Sequence, residues 1–266
     1  MLAMAYGFSS LYLRKHGPFG SPINYLKFKL RPVRVFKRKL QMSFTSIPDP
    51  LIACSTPSVD ESLFNAQQST FQANDWCFVE NFFSVDFASQ LRATWPPRRF
   101  FEPMANTIKS YDFGFKWIPS RGVSDPKIKR FPILKRTFEY LRSTEFCQLI
   151  TLLCGDSIHR RCFSTIASTA TSGASLIPHK DSIALQGSAL NIILFVNGNG
   201  LPPHAGGTCI IADNEFRNIL FEPSNLINTA LIYSSTADFY HGFKKLKRGN
   251  FRHAITAQFC PATFLP

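Results

Sequence analysis

Before about Arg160 apolar residues recur every third or fourth position; from Arg160 onward they recur every second. The first regime predicts helices. Ser84 caps a helix over 85–94 with Phe87, Ala88 and Leu91 on one side, and Pro96-Pro97 ends it. After Pro132 a longer amphipathic helix is expected over 133–153, with Leu134, Phe138, Leu141, Phe146, Leu149 and Leu153 on its apolar face and Gly155 closing it. A strand over 76–83 precedes both. Between them, 98–125 mixes aromatics with Gly and Pro, as expected of two strands and loops beside a pocket.

The second regime predicts strands over 162–169, 175–177, 189–196, 206–211, 220–223, 229–233 and 251–259. Gly173 and the run Asn197-Gly198-Asn199-Gly200 supply turn chemistry between them. Short strands at this spacing indicate an all-β sandwich or barrel, here with helices from the first half packed outside. The segment 49–74, rich in Ser, Thr, Gln, Asn and Pro, reads as a linker or irregular cover, and the domain as 75–266.

Composition changes this picture in one place. The chain of 266 residues is 45% hydrophobic with 27 Phe, a globular composition. Its net charge of +13 suggests a nucleic-acid binder until it is located. Nine Lys and Arg and no acid lie within 1–48, leaving +4 for the rest. The charge therefore belongs to an extension, read as disordered, with Met42 as an alternative start. A transit segment is the alternative, favoured by the lack of acids and disfavoured by the scarcity of Ser. Seven cysteines (54, 77, 147, 154, 162, 209 and 260) stand singly, without a CxxC pair, as expected of reduced thiols in a cytoplasmic setting. No apolar run reaches the roughly 18 residues of a membrane span.

The chemistry concentrates at Pro178-His179-Lys180-Asp181. His179 and Asp181 are two residues apart, so an extended strand sends both side chains to one face. A second imidazole, His241, is available from a distant strand. Two histidines and one carboxylate leave coordination positions open and suit non-haem Fe(II). A lone His-x-Asp is weak; each histidine alone is more often a satisfied polar side chain. The weight lies in their order and strand context.

That order is strand, Pro178-His179-Lys180-Asp181, a strand ending Phe195-Val196-Asn197, Gly206-Gly207-Thr208, a strand ending Tyr233-Ser234-Ser235, His241-Gly242, then Phe251-Arg252-His253-Ala254-Ile255-Thr256. It resembles the 2-oxoglutarate- and Fe(II)-dependent dioxygenases, and within them the prolyl-4-hydroxylase-like branch. The resemblance covers 75–260, with its motifs in 160–260. It implies a double-stranded β-helix (jelly roll), mainly β with flanking helices. It implies Fe(II), 2-oxoglutarate and O2 as cofactor and co-substrates, with ascorbate as an aid, and His179, Asp181 and His241 as metal ligands and catalytic residues.

Arg252, eleven positions past His241, is the match for the residue that anchors the far carboxylate of 2-oxoglutarate; an Arg fork suits a carboxylate chemically. Arg248, beside Gly249 in a turn, is the weaker match. Many relatives carry a Tyr about ten residues before the first histidine. Here Thr169 and Ala170 occupy that place, so the second anchor is the Thr169 hydroxyl or is absent. The family's nucleic-acid demethylases carry a second Arg where this chain has Gln258, which counts against a nucleic-acid partner despite the basic charge. Asp181 fills the coordination site that related halogenases leave for halide, which favours hydroxylation.

The reaction expected is hydroxylation of an amino-acid, peptidyl or small-metabolite C–H bond, with 2-oxoglutarate decarboxylated to succinate. The rival is a jelly-roll module that binds without turnover. Specificity is expected in 98–125 and in the loops 182–188, 197–205 and 234–240. His159, His204 and His253 have no partner pattern, and Gly206-Gly207 reads as a structural close approach.

Overall fold

Alternation along the second half of the chain builds two antiparallel sheets facing each other. The computed structural model describes residues 56–103, 115–118, 128–181, 189–200, 206–235 and 237–264. The basic extension, Met42, Cys54, His204, the loop 182–188 and most of the 98–125 specificity segment lie outside the described residues.

The chain begins with helix α1 (Glu61–Asn74) and strand β1 (Trp76–Val79), then α2 (Val85–Ala93). Strands β2 (Glu102–Pro103) and β3 (Phe115–Ile118) follow, then helices α3 (Pro132–Leu141) and α4 (Thr144–Cys154). Eight strands complete it: β4 (Arg160–Thr171), β5 (Leu176–His179), β6 (Leu190–Gly198), β7 (Cys209–Ile211), β8 (Ile219–Phe221), β9 (Thr229–Ser234), β10 (Tyr240–Phe243) and β11 (Phe251–Pro261). The large sheet runs β1-β9-β6-β11-β4-β3-β2 and the small one β5-β10-β7-β8. Every described pairing is antiparallel. This is the double-stranded β-helix architecture, with helices on the outer face of the large sheet.

The large sheet is buried on both faces, and its period of two divides them cleanly. Cys77, Val79, Ile192, Leu194, Val196, Ala230, Ile232, Ile255, Ala257 and Phe259 face the helices and share a core with Phe64, Phe87, Phe138 and Phe146. Their strand neighbours Ile193, Phe195, Leu231, Tyr233 and Ala254 face the small sheet and meet Ile210, Leu226 and Phe239. Farther along, Ala170 packs with Phe243 and Leu246 in the same inter-sheet layer.

Two expectations need correction. The stretch read as an irregular linker holds α1. Asp60 caps it by accepting from the Ser62 N–H, and Asp75, at φ 61°, closes it by donating to the Phe71 carbonyl. Only Phe64 and Phe71 of this helix are buried, and among so many polar residues a stripe that sparse gives little periodic signal. The single helix over 133–153 is two helices. Ser143 caps α4 by accepting from the Phe146 N–H at 3.1 Å, while the Arg142 N–H closes α3 onto Glu139. Both helices continue the same apolar face, so periodicity alone does not reveal the break. Among the described residues no helix is long and apolar enough to cross a membrane.

Candidate active site

The small sheet carries the two histidines of the candidate site, and the large sheet faces them. His179 ends β5 and stands directly across from His241 on β10. Asp181 lies two residues past His179, and the three side chains bring one ligand atom each within 4.8 Å of one another. The Asp181 carboxylate reaches both imidazoles, with Oδ1 3.6 Å from His179 Nε2 and Oδ2 3.5 Å from His241 Nε2. The ring centroids of the two histidines are 4.3 Å apart.

Backbone geometry makes the pairing possible. A Cβ on Gly242 would lie 2.6 Å from the Leu176 carbonyl oxygen, so β5 can approach β10 at this rung only past a residue without a side chain. The register between these strands shifts at this point. His179 Nδ1 lies 2.9 Å from the Ile177 carbonyl. Donation from Nδ1 to that oxygen selects the tautomer whose lone pair is on Nε2, the atom facing Asp181. Two imidazoles and one carboxylate, the whole of the set among the described residues, are a donor group of the kind that holds Fe(II) facially. The residues present fit that ion.

Arg252 is the second element. It projects from β11 into the inter-sheet layer and is 3% exposed. Its Nη1 donates to the Gly206 carbonyl at 2.8 Å and to Thr208 Oγ1 at 3.2 Å, and its guanidinium lies 4.5 Å from the Phe243 ring centroid and 5.3 Å from that of Phe195. Nε has no hydrogen-bond partner, and no carboxylate balances the charge among the described residues. Burial pulls its pKa down to about 10, which still leaves it a cation at neutral pH. A buried guanidinium with an idle donor and no counter-charge is costly unless an anion joins it. Phe243, over which it sits, is two residues past His241 on β10, so cation and imidazole share the layer between the two sheets, the chamber of the candidate site. The Gly206-Gly207 pair thus does more than allow close approach, since the Gly206 carbonyl, at a residue with φ 77°, braces Arg252.

The structure does not bring Thr169 into this group. Thr169 pairs with His253, whereas Arg252 pairs with Ala170. Directly opposed residues of an antiparallel pair share a face. Thr169 and His253 therefore point toward the helices, where His253 stacks on Trp95 with centroids 5.2 Å apart. The position facing Arg252 is an alanine, and Thr169 lies on the opposite face of the sheet. Arg248 lies in the turn before β11.

Three residues were missed or given no part in the site. Asn191 donates from Nδ2 to Asp181 Oδ2 at 2.9 Å, Gln258 donates to Asn191 Oδ1 at 3.2 Å, and the Tyr233 ring lies 4.8 Å from that of His241. Asn191 had a legible signal, a polar residue inside an otherwise apolar strand. The six described cysteines form no disulfide, and burial pushes the thiols of Cys77, Cys154, Cys162 and Cys209 up to about 12, so none of these four is a thiolate nucleophile.

No protein-family model matches the sequence, and no curated protein matches it. Solved structures do. A prolyl hydroxylase from Trichoplax adhaerens, in complex with a hypoxia-inducible-factor oxygen-degradation-domain peptide, superimposes with a TM-score of 0.55 at 16% identity, over 76% of this chain and 91% of that one. A Pseudomonas putida prolyl-4-hydroxylase gives 0.52 at 16% identity, over 75% and 99%. SnoN, a non-haem α-ketoglutarate-dependent epimerase of nogalamycin biosynthesis, gives 0.55 at 11% identity, over 76% and 82%. The chain has the double-stranded β-helix fold of the prolyl 4-hydroxylases and other 2-oxoglutarate–Fe(II) oxygenases, and at its centre an intact His-x-Asp…His triad.

Proposed function

We propose that this protein is a 2-oxoglutarate- and Fe(II)-dependent oxygenase that hydroxylates a C–H bond of an amino-acid, peptidyl or small-metabolite substrate. One observation carries the reading. Arg252, a buried cation with no carboxylate beside it among the described residues, lies between the sheets over Phe243, two residues along β10 from His241 of the His179–Asp181–His241 group. A dicarboxylic oxo acid suits both ends, one carboxylate and the keto oxygen toward the metal and the other carboxylate on the guanidinium.

His179, Asp181 and His241 would hold Fe(II), and Arg252 would anchor 2-oxoglutarate, with Thr208 sharing that end of the chamber. With O2 and 2-oxoglutarate, Fe(II) supplies oxidative decarboxylation to succinate and CO2 and removal of a substrate hydrogen. The protein orients the co-substrate and excludes water: Phe195, Phe243 and Ile210 are fully buried around the anchor. Ascorbate would serve to keep the metal reduced. The catalytic domain in this reading takes in helix α1 as well as the expected 75–266, because Phe64 and Phe71 belong to its core, with 160–260 carrying the ligands and 1–48 a basic extension. Free thiols suit a reducing, cytoplasmic setting.

Purified protein given Fe(II), ascorbate and 2-oxoglutarate is expected to form succinate without added substrate, and His179→Ala and Asp181→Ala are expected to abolish it. Wild type no more active than these variants would overturn the reading. Iron retained after anaerobic purification separates an enzyme from a binding module. Once a substrate is found by a turnover screen, transfer of one atom of labelled O2 into product separates hydroxylation from epimerisation.

A further inference from the structure

One rung of the large sheet reaches the His179–Asp181–His241 group. Gln258 on β11, Asn191 on β6 and Tyr233 on β9 are direct cross-strand partners, so their side chains lie in a row on one face. Two of the three touch the triad. Asn191 donates to Asp181 Oδ2, and Tyr233 packs its ring against His241. Gln258 touches Asn191 and not the triad.

The direction of these bonds gives the row its meaning. A carboxamide has one acceptor end and one donor end. Gln258 Nε2 donates to Asn191 Oδ1, so Asn191 is left to present its NH2 to Asp181. A carboxamide turned the other way would oppose oxygen to carboxylate oxygen. The donor end of Gln258 and the acceptor-only carboxylate of Asp181 thus agree on one sense for the amide of Asn191, which ties Oδ2 in place. Asn191 is 1% exposed, so no bulk water replaces it if it is removed. Asp181 follows the end of β5, outside the strand itself, and the Asn191 bond ties its carboxylate to the large sheet.

We propose that Asn191, oriented by Gln258, is a positioning residue that holds the Asp181 carboxylate with Oδ2 engaged by the amide, favouring metal coordination through one oxygen. The inference rests on reading His179, Asp181 and His241 as ligands of a divalent metal. Ligands braced in this way typically lose about 10–100-fold in metal affinity when the brace is removed.

Equilibrium titration of the metal-free protein with Mn(II), following the signal of free Mn(II), tests this without turnover. Asn191→Leu is expected to weaken Mn(II) binding by about 10–100-fold. Gln258→Met, which keeps the length of the side chain and removes its donor, is expected to weaken it by a smaller factor. The double variant is expected to bind as Asn191→Leu does, because two residues acting through one bond are not additive. Unfolding midpoints of the metal-free variants show whether each is folded; Gln258 is only half-buried, so Gln258→Met carries the test should Asn191→Leu fail to fold.

Affinities of both single variants within about twofold of wild type, with His179→Ala abolishing binding, would overturn the proposal and leave the proposed function standing. Additive losses in the double variant would overturn the route through Gln258. Failure of wild type to bind Mn(II) or Fe(II) at all would remove both.

Discussion

Arg252 and His253 are neighbours on β11, and they live in opposite worlds. Arg252 faces the small sheet, keeps its charge and lacks a counter-ion among the described residues. His253 faces the helices, is stacked on Trp95, and burial holds its pKa down at about 4, so it stays neutral. The same contrast runs along the whole sheet. Its outer face is almost wholly apolar and meets a core of phenylalanines. Its inner face carries Arg252, Asn191, Gln258 and Ser168 among the apolar residues. A polar group buried on the outer face has no purpose beyond its own satisfaction. Those on the inner face are held by each other or, in the proposed reading, receive a ligand. The difference teaches that stability and chemistry have been assigned to the two sides of one sheet, and that substitutions should separate them.

The largest effect is expected on the outer side. Phe146 packs its ring against Phe64, Phe82, Tyr140 and Phe259 at centroid distances of 5.3 to 6.1 Å. Phe146→Ala should cost about 3–5 kcal/mol in chemical unfolding, while the surviving folded fraction keeps its Mn(II) affinity. A comparable loss of metal affinity in folded protein would break the division. On the inner side, Arg252→Met should raise the 2-oxoglutarate concentration needed for succinate formation by about 100-fold, the loss of a buried charge-assisted pair. Its metal-free form should unfold no earlier than wild type, because an uncompensated buried cation is removed.

A smaller effect separates the two neighbours by pH. The folded state holds His253 neutral, so the unfolded chain binds more protons between about pH 6.5 and 4, and stability falls as pH is lowered through that interval. Asp156, held below the usual carboxylate range chiefly by its hydrogen bonds from Arg160, acts in the same sense at lower pH. The His253 contribution is therefore the difference between wild type and His253→Phe, whose denaturant midpoint should change less from pH 6.5 to pH 4. Equal slopes would show that His253 is not buried as described. The smallest effect is the most discriminating. Thr169→Val should leave the 2-oxoglutarate dependence of succinate formation within about twofold of wild type, since the side chain lies on the outer face. A large rise would return Thr169 to the chamber.

Much of the site was legible because its signals are local. The spacing of His179 and Asp181 places them together on any extended strand, and Gly242 after His241 marks a close strand approach. Arg252 follows at a distance that one turn and one strand account for. The helix break at Ser143 was also readable, as a capping residue ahead of Glu145 and Phe146, but continuous amphipathic spacing masked it. Helix α1 offered less, because two buried phenylalanines seven residues apart leave no stripe.

What lay beyond the sequence is non-local. Whether Thr169 or Ala170 faces Arg252 depends on the register of β4 against β11, and a slip of one residue reverses every side chain. The partnership of Gln258 with Asn191 depends on β6 pairing with a strand more than sixty residues away. The sequence by itself determined the donor set, the change from helical to strand period and the location of excess charge, since each follows from neighbours along the chain. Only the tertiary structure decided which polar residues are inside the chamber, because facing is set by strand register and by which sheet covers which side.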